Sequence, residues 1–376
     1  MSDEENSTAD GDVEEPTVDQ IADSEVAVAT ATVAEDASAK ERPLWVQQWT
    51  TIRSMPGAWE KAALGLACMG VVLFIWTLLT SGAGDKRIIG AYTLPSPAEA
   101  FGSFKELWFD RGLVKSALAS LARVFGGFLL AAAVAIPAGV VSGSYPRVEA
   151  FFRPMAVFGR NVPIAALIPL TLIWFGLGET QKVMFIFLAS VAFIFFDTVQ
   201  SVAAVSNRYL DTAYTLGAKS VPREGAKRAG WIALLYGLLC VGFWSFISTD
   251  GAAIVAALAN WKTWVAGLFG ALLGFLLWFP IQSHQVIRKV LFPLSLPRIV
   301  NSMRLLFGLS FGYIMLAEAI NAKAGLGKLI IVSQRVGPRE HIYLCLMIIA
   351  LLAFGIDRLV FYLQRRWFPY EENAHS

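Results

Sequence analysis

Residues 211–220 read DTAYTLGAKS, and residues 288–300 read RKVLFPLSLPRIV. Between them lie two apolar runs, residues 231–247 and 264–281, each close to the length that crosses a bilayer's hydrocarbon core. The segment joining the runs holds Asp250 and Lys262 as its only charges, whereas the flanks carry Lys219, Arg223, Lys227, Arg228, Arg288 and Lys289. Lysine and arginine collect on the cytoplasmic side of membrane proteins, so the flanks are expected inside the cell. Two crossings bring the chain back to the side it left. The pattern predicts a two-span membrane hairpin, residues 221–283, set into a cytoplasmic loop.

The rest of the chain repeats the apolar theme. Of 376 residues 56% are hydrophobic and 16% charged, and the apolar residues fall in runs at 62–80, 121–141, 155–175, 183–202, 305–320 and 342–363. With the hairpin these make eight spans, which puts both termini on one side, expected to be cytoplasmic. The predicted fold class is therefore all-α: a polytopic membrane protein with a six-span core, residues 44–220 and 284–370, plus the inserted hairpin. Residues 1–43 carry many acids, among them Asp3, Glu4, Glu5, Asp10, Asp12, Glu14 and Glu15, against Lys40 and Arg42. Such a stretch has too little apolar surface to offset its ordering entropy, so it reads as a disordered acidic cytosolic tail. It lacks the basic start and apolar core of a secretory signal. Residues 371–376 form a second short cytosolic tail.

Several chemistries are excluded. Cys68, Cys240 and Cys345 all lie inside apolar runs and read as packing residues, and none of His284, His341 and His375 has the spacing of metal ligands. No catalytic set, metal site or cofactor is expected. The net charge of +2 does not suggest nucleic acid. The pattern G-x-x-x-x-G-K-[ST] is absent, so the chain cannot cradle a nucleotide in the P-loop manner.

The split loop has its own physical logic. Ala213, Gly217 and Ala218 are small enough for another protein to approach closely, and Gly217 lets the backbone turn. Asp211 near a helix start is favoured by the helix dipole, and Pro297 is expected to stop the helix before it. The loop is shaped to fit into a partner.

Four stretches then carry a family likeness: LPSPAEAF (94–101), RNVPIAALIPLTLIWFGLGETQKVMFIFLASVAFIFFDT (160–198), LDTAYTLGAKS (210–220) with RKVLFPLSLPRI (288–299), and LAEAINAKAGLGKLI (316–330). With these the sequence resembles the permease subunits of bacterial ABC importers, in the branch that handles nitrate, sulfonates, taurine and bicarbonate. That family's loop runs Glu-Ala-Ala, a glycine four residues on, then Ile-x-Leu-Pro after a short gap. Here Asp211, Thr212 and Ala213 stand for the first three, Gly217 for the glycine, and Leu294, Ser295, Leu296 and Pro297 for the ending. The departure is the gap, long enough to hold the hairpin. The resemblance implies a type I importer permease in the bacterial inner membrane, coupled to ABC ATPase subunits through Asp211, Ala213, Gly217, Ala218, Leu294, Leu296 and Pro297. It also implies a second permease copy, as a homodimer, and an extracytoplasmic solute-binding protein that selects a small anionic solute. The front and rear halves of the loop must meet again beside the membrane, or only one of them docks, in which case the rear half is the principal element.

Charges inside spans are costly and so call for a functional reading first. Arg160 with Asn161 opens the RNVP turn and suits an anion pathway, or else snorkels or pairs with Glu318 or Asp197 for packing. Glu318, with Asn321 beside it, is expected in the outer half of the pathway as a helix lock or gate. Asp197 reads as a hydrogen-bonded helix contact, and GETQK (178–182) as a tight turn. The other function class is a stand-alone secondary transporter or channel, which would be expected to show inverted repeats and would have no use for a docking loop.

Overall fold

The computed structural model describes residues 56–82, 87–90, 92–248, 261–336 and 338–369. The expected acidic tail, Asp250 at the hairpin tip and the last six residues lie outside these. The chain divides into two units, residues up to Trp76 and from Thr77 onward. The first contains most of α1 (Ala58–Leu79), an apolar helix long enough to span a bilayer.

The second unit is built around α4 (Leu113–Ser144) and α7 (Glu179–Ala203). Three glycines of α4 let them touch: a Cβ on Gly127 would sit 2.5 Å from the Val183 carbonyl, on Gly139 2.6 Å from Thr198 Cβ, and on Gly143 2.8 Å from Val202 Cβ. Small residues at such a seam let backbones approach and gain dispersion contacts, the main attraction available to helices in lipid. The paired numbers rise together, so α4 and α7 run parallel.

Parallel neighbours need a return crossing between them. It is supplied by α5 (Pro146–Asn161), a 3₁₀ turn (Ile164–Ala166) and α6 (Leu167–Phe175), bent by 87° at the joint. The third expected span is thus a broken one, starting well before residue 155. The break follows from sequence: Val162 precedes Pro163 and is extended, as a residue before proline prefers. Gly176, at φ +70°, then turns the chain into α7.

α11 (Phe292–Asn321) runs back against both helices. Ile299 packs with Val140 and Val202 at one end, Ser310 meets Ser190 at 3.3 Å in the middle, and Glu318 reaches Ser120 at the other end. The middle is a buried cluster of Phe128, Phe185, Ile186, Phe311 and Ile314. Pro297, expected to stop a helix, lies inside α11, and its carbonyl accepts from Gln364 Nε2 at 3.3 Å. A single wide π turn (Ile287–Leu291) precedes α11. α12 (Leu326–Val336) caps the far end, and α13 (Glu340–Trp367) returns beside α11, with Arg304 and Asp357 paired at 2.8 Å.

The hairpin is α9 (Pro222–Ser248) and α10 (Trp261–Ser283). Side chains from one fill glycine notches in the other: Cys240 faces Gly270, Val241 faces Gly267, and Tyr236 faces Gly274. The numbers run in opposite senses, so the pair is antiparallel. Trp278 Nε1 donates to Tyr236 Oη at 3.0 Å, and that hydroxyl donates to the Ala133 carbonyl, holding the hairpin on α4. Leu234, Leu238, Leu268 and Leu272 stay exposed, as lipid-facing residues do. Among the described residues six helices are long and apolar enough to cross a membrane, and the bent pair makes a seventh candidate. The 27-residue α9 lies along α10 as the remaining run.

Two short helices, α2 (Pro97–Gly102) and α3 (Phe104–Phe109), precede α4. Ser96 and Glu99 form a reciprocal capping box at the start of α2, with Pro97 at the first helical position.

Candidate docking surface and buried ion cluster

The severed loop is mended in the structure. Ser220 and His284 form an antiparallel bridge: Val221 N donates to the Ser283 carbonyl at 2.7 Å, and Gln285 N to the Lys219 carbonyl at 3.3 Å. Gly225 packs so closely on Ser283 that a Cβ there would lie 2.5 Å from its Cα. The hairpin therefore leaves and re-enters through a closed neck.

Beside the neck lies α8 (Asn207–Thr215). Gly217 ends it at φ +80°, with its N–H bonded to the Tyr214 carbonyl at 2.9 Å and Ala218 N to the Ala213 carbonyl at 3.0 Å. This is a left-handed helix cap, and it explains the glycine by backbone conformation. Nothing lies within 4 Å of a Cβ built at Gly217.

Between α8 and the rear half of the loop runs an open groove of about 420 Å³, walled by Tyr209, Thr212, Ala213 and Leu216 on one side and Val290, Pro293 and Leu294 on the other. Ala213 and Leu294, predicted from opposite halves of the loop, thus share one surface. Asp211 is exposed on α8, Leu296 is half-buried, and Pro297 is buried inside α11. Arg208, Lys219, Arg223, Lys227 and Lys289 are exposed around this end. Tyr145 Oη meets His284 Nδ1 at 3.2 Å beneath it.

The opposite end of the bundle holds a buried network. Glu318 is 1% exposed. Arg123 Nη1 donates to its carboxylate at 2.6 Å, Ser120 Oγ lies 2.7 and 2.8 Å from its two oxygens, and Gly327 N donates at 2.9 Å. The same guanidinium grips Glu179 through two bonds of 2.5 and 2.9 Å and reaches the Ala324 carbonyl at 2.7 Å. Lys182 stands 3.6 Å from Glu179. Two carboxylates face two cations in a satisfied, charge-balanced cluster that ties α4, α7, α11 and the start of α12. With its acceptors taken up inside the protein, Glu318 links α11 to α4 and to the start of α12.

Arg160 and Asn161 are not part of it. The Arg160 guanidinium stacks 4.0 Å above the Phe196 ring, and Asn161 Nδ2 bonds its own helix at Val157 O, 2.9 Å. At 1.5 Å per residue, Phe196 and Glu179 lie about 25 Å apart along α7, so Arg160 and Glu318 occupy different levels. The side chain of Asn321 lies outside the described residues. Sequence reasoning missed Arg123, Glu179 and Lys182. Arg123 sits near the start of the apolar run 121–141, and the rule that flagged Glu318 applies to it as well. GETQK is not the expected tight turn: the chain turns at residues 176–178, and Glu179 and Lys182 lie in the first turn of α7 and belong to the cluster.

Comparison with known proteins bears on this arrangement. Residues 135–224 and 281–369 match the family described as binding-protein-dependent transport system inner membrane component. The unmatched residues 225–280 are most of the hairpin. The taurine transport system permease protein TauC of Escherichia coli is 23% identical over 316 residues, covering 83% of this chain and 90% of that protein. The bicarbonate transport system permease protein CmpB of Synechococcus elongatus is 28% identical over 225 residues, covering 57% of this chain and 75% of that one. Among solved structures, an inward-facing MetNI methionine ABC transporter chain aligns at a TM-score of 0.46 with 17% identity, over 70% of this chain and 98% of its own.

Proposed function

From a chain that carries the inner-membrane-component domain of binding-protein-dependent transport systems, we infer the permease subunit of an ATP-driven importer for a small anionic solute of the sulfonate, taurine, nitrate or bicarbonate type. It resides in the cytoplasmic membrane with both termini inside. Two copies form the pathway, ABC ATPase subunits supply the energy, and an external binding protein delivers the solute. Residues 221–283 are a two-span addition to a core formed by residues 44–220 and 284–370.

The observation that carries this reading is the rejoined loop. The bridge at Ser220 and His284 joins the two halves, and Ala213 and Leu294 line one groove despite the residues inserted between them, which supports a single docking element. Asp211, Gly217, Ala218, Leu296 and Pro297 complete it, Gly217 through its turn and Pro297 through α11. A stand-alone carrier would have no need to preserve such a surface.

The test is co-purification of ATP-hydrolysing activity from native membranes. Ala213→Arg and Leu294→Arg each bring a buried charge to the contact and should remove at least about nine-tenths of the associated activity, given the several kcal/mol that an unpaired interfacial charge costs. Arg335→Glu, exposed at the far end, serves as control. Full retention of activity by both groove variants refutes the coupling assignment.

A further inference from the structure

Asp197, Gln200 and Ser201 fall at i, i+3 and i+4 on α7, and Arg298, Asn301 and Ser302 fall at the same spacing on α11. The two polar stripes face each other across a half-open cavity of about 440 Å³. Polar stripes on apolar helices are costly in lipid, and two of them matched across one cavity are a functional signature. The neighbouring faces of α7 and α11 bury Ile194, Val199, Val202 and Ile299, so the polarity is confined to the cavity. The cavity lies in the half of the bundle nearer the docking groove, with Asp197 about 9 Å along the helix from the end of α7.

Its charges are few and defined. Arg298 is exposed, with no ion-pair partner within 4 Å among the described residues, and Asp197 lines the same cavity with Ser302 on the facing helix. Arg160, held 4.0 Å over Phe196, is not part of the cavity wall and makes no ion pair with Asp197 within 4 Å, but it is close enough to act on that carboxylate through space. The cavity therefore offers one guanidinium and one carboxylate, with the amides of Gln200 and Asn301 between their levels. A plain anion bound at Arg298 would share the cavity with the Asp197 carboxyl, and a plain cation at Asp197 would share it with a guanidinium. A molecule carrying both charges satisfies both.

We propose that this cavity is a solute-binding site of the permease and that it takes a small zwitterion, with an anionic head on Arg298 and an ammonium on Asp197. The proposal rests on the permease reading and narrows its solute class, because it disfavours bicarbonate, nitrate and unsubstituted sulfonates.

The test is equilibrium binding to the full chain in nanodiscs, with taurine as zwitterion, ethanesulfonate as the matched anion and ethylamine as the matched cation. Taurine should bind at least about tenfold more tightly than either, the loss expected when one charge-assisted hydrogen bond is missing. Asp197→Asn should erase the preference for taurine over ethanesulfonate, and Arg298→Gln should weaken both. Equal binding of taurine and ethanesulfonate, an unchanged preference in Asp197→Asn, or no taurine binding overturns the proposal. Since no ATPase is present, these outcomes leave the coupling assignment untouched, and failure of the co-purification test leaves this one untouched.

Discussion

Glu318 and Arg123 show what one buried charge demands of its neighbours. Replacing Glu318 by Ala leaves the guanidinium buried against a single carboxylate, and breaking such a pair costs about 3–5 kcal/mol. Unfolding in detergent should register that loss, and the double variant Arg123→Ala/Glu318→Ala should lose clearly less than the sum of the single ones. Gly217 makes a quieter case. Its φ of +80° with open space around it means that Gly217→Ala should cost about 1 kcal/mol through the backbone alone, measurable as a small fall in thermal midpoint. Outside the membrane, Arg87 and the Ser96 amide hold the Glu99 carboxyl down at about 2. A depressed carboxyl stabilises the fold above its unfolded value, and that support disappears as pH falls through the folded value. The α2 tether should therefore persist below pH 4.5 and loosen only near pH 2, and Arg87→Ala should move that midpoint upward in an NMR titration. At this scale the sequence marked Glu318 because an acid in an apolar run is conspicuous. It could not reveal the partner, since Arg123 lies 195 residues away and the pairing exists only once α4 and α11 are side by side.

At the scale of elements, hydrophobic length located the helices well. It could not foresee that residues 146–175 would form two helices at 87°, because composition records apolarity and not direction. Nor could it tell Pro297 the helix stop from Pro297 the helix interior, since a membrane helix tolerates a proline where its surroundings re-satisfy the freed backbone groups. The hairpin was legible as two runs of suitable length, but its closed neck was not, as a bridge between residues 220 and 284 is purely tertiary. That neck is directly testable. Antiparallel bridge partners have Cα atoms about 4.5–5.5 Å apart, within the range a disulfide spans. The pair Ser220→Cys and His284→Cys should crosslink on mild oxidation, detected as a mobility shift of a protease-nicked chain. No crosslink under conditions that oxidise a known nearby pair would contradict the rejoined loop.

For the whole molecule, the decisive geometry is directional. α4 and α7 run one way, α11 the other, and α13 returns so that Gln364 meets Pro297 near the docking groove. The end of the last helix thus shares an end of the bundle with α8. Removing residues 222–282 and joining Val221 to Ser283, whose backbones are already hydrogen-bonded at 2.7 Å, should leave a core that still inserts and still co-purifies ATP-hydrolysing activity. A shortened chain lost to proteolysis or misinserted would mean that the hairpin is integral to the core.

The two ends of this bundle are fastened differently. At one, a guanidinium, two carboxylates and a serine stitch three long helices and a connecting turn together; at the other, the same helices touch through an apolar seam at Gly143, Val202 and Ile299, flanked by hollows. An apolar seam has no directional partners to break, so it can slide where the ionic end cannot. A push arriving at the groove should therefore be taken up by small shifts there and fade toward Glu318.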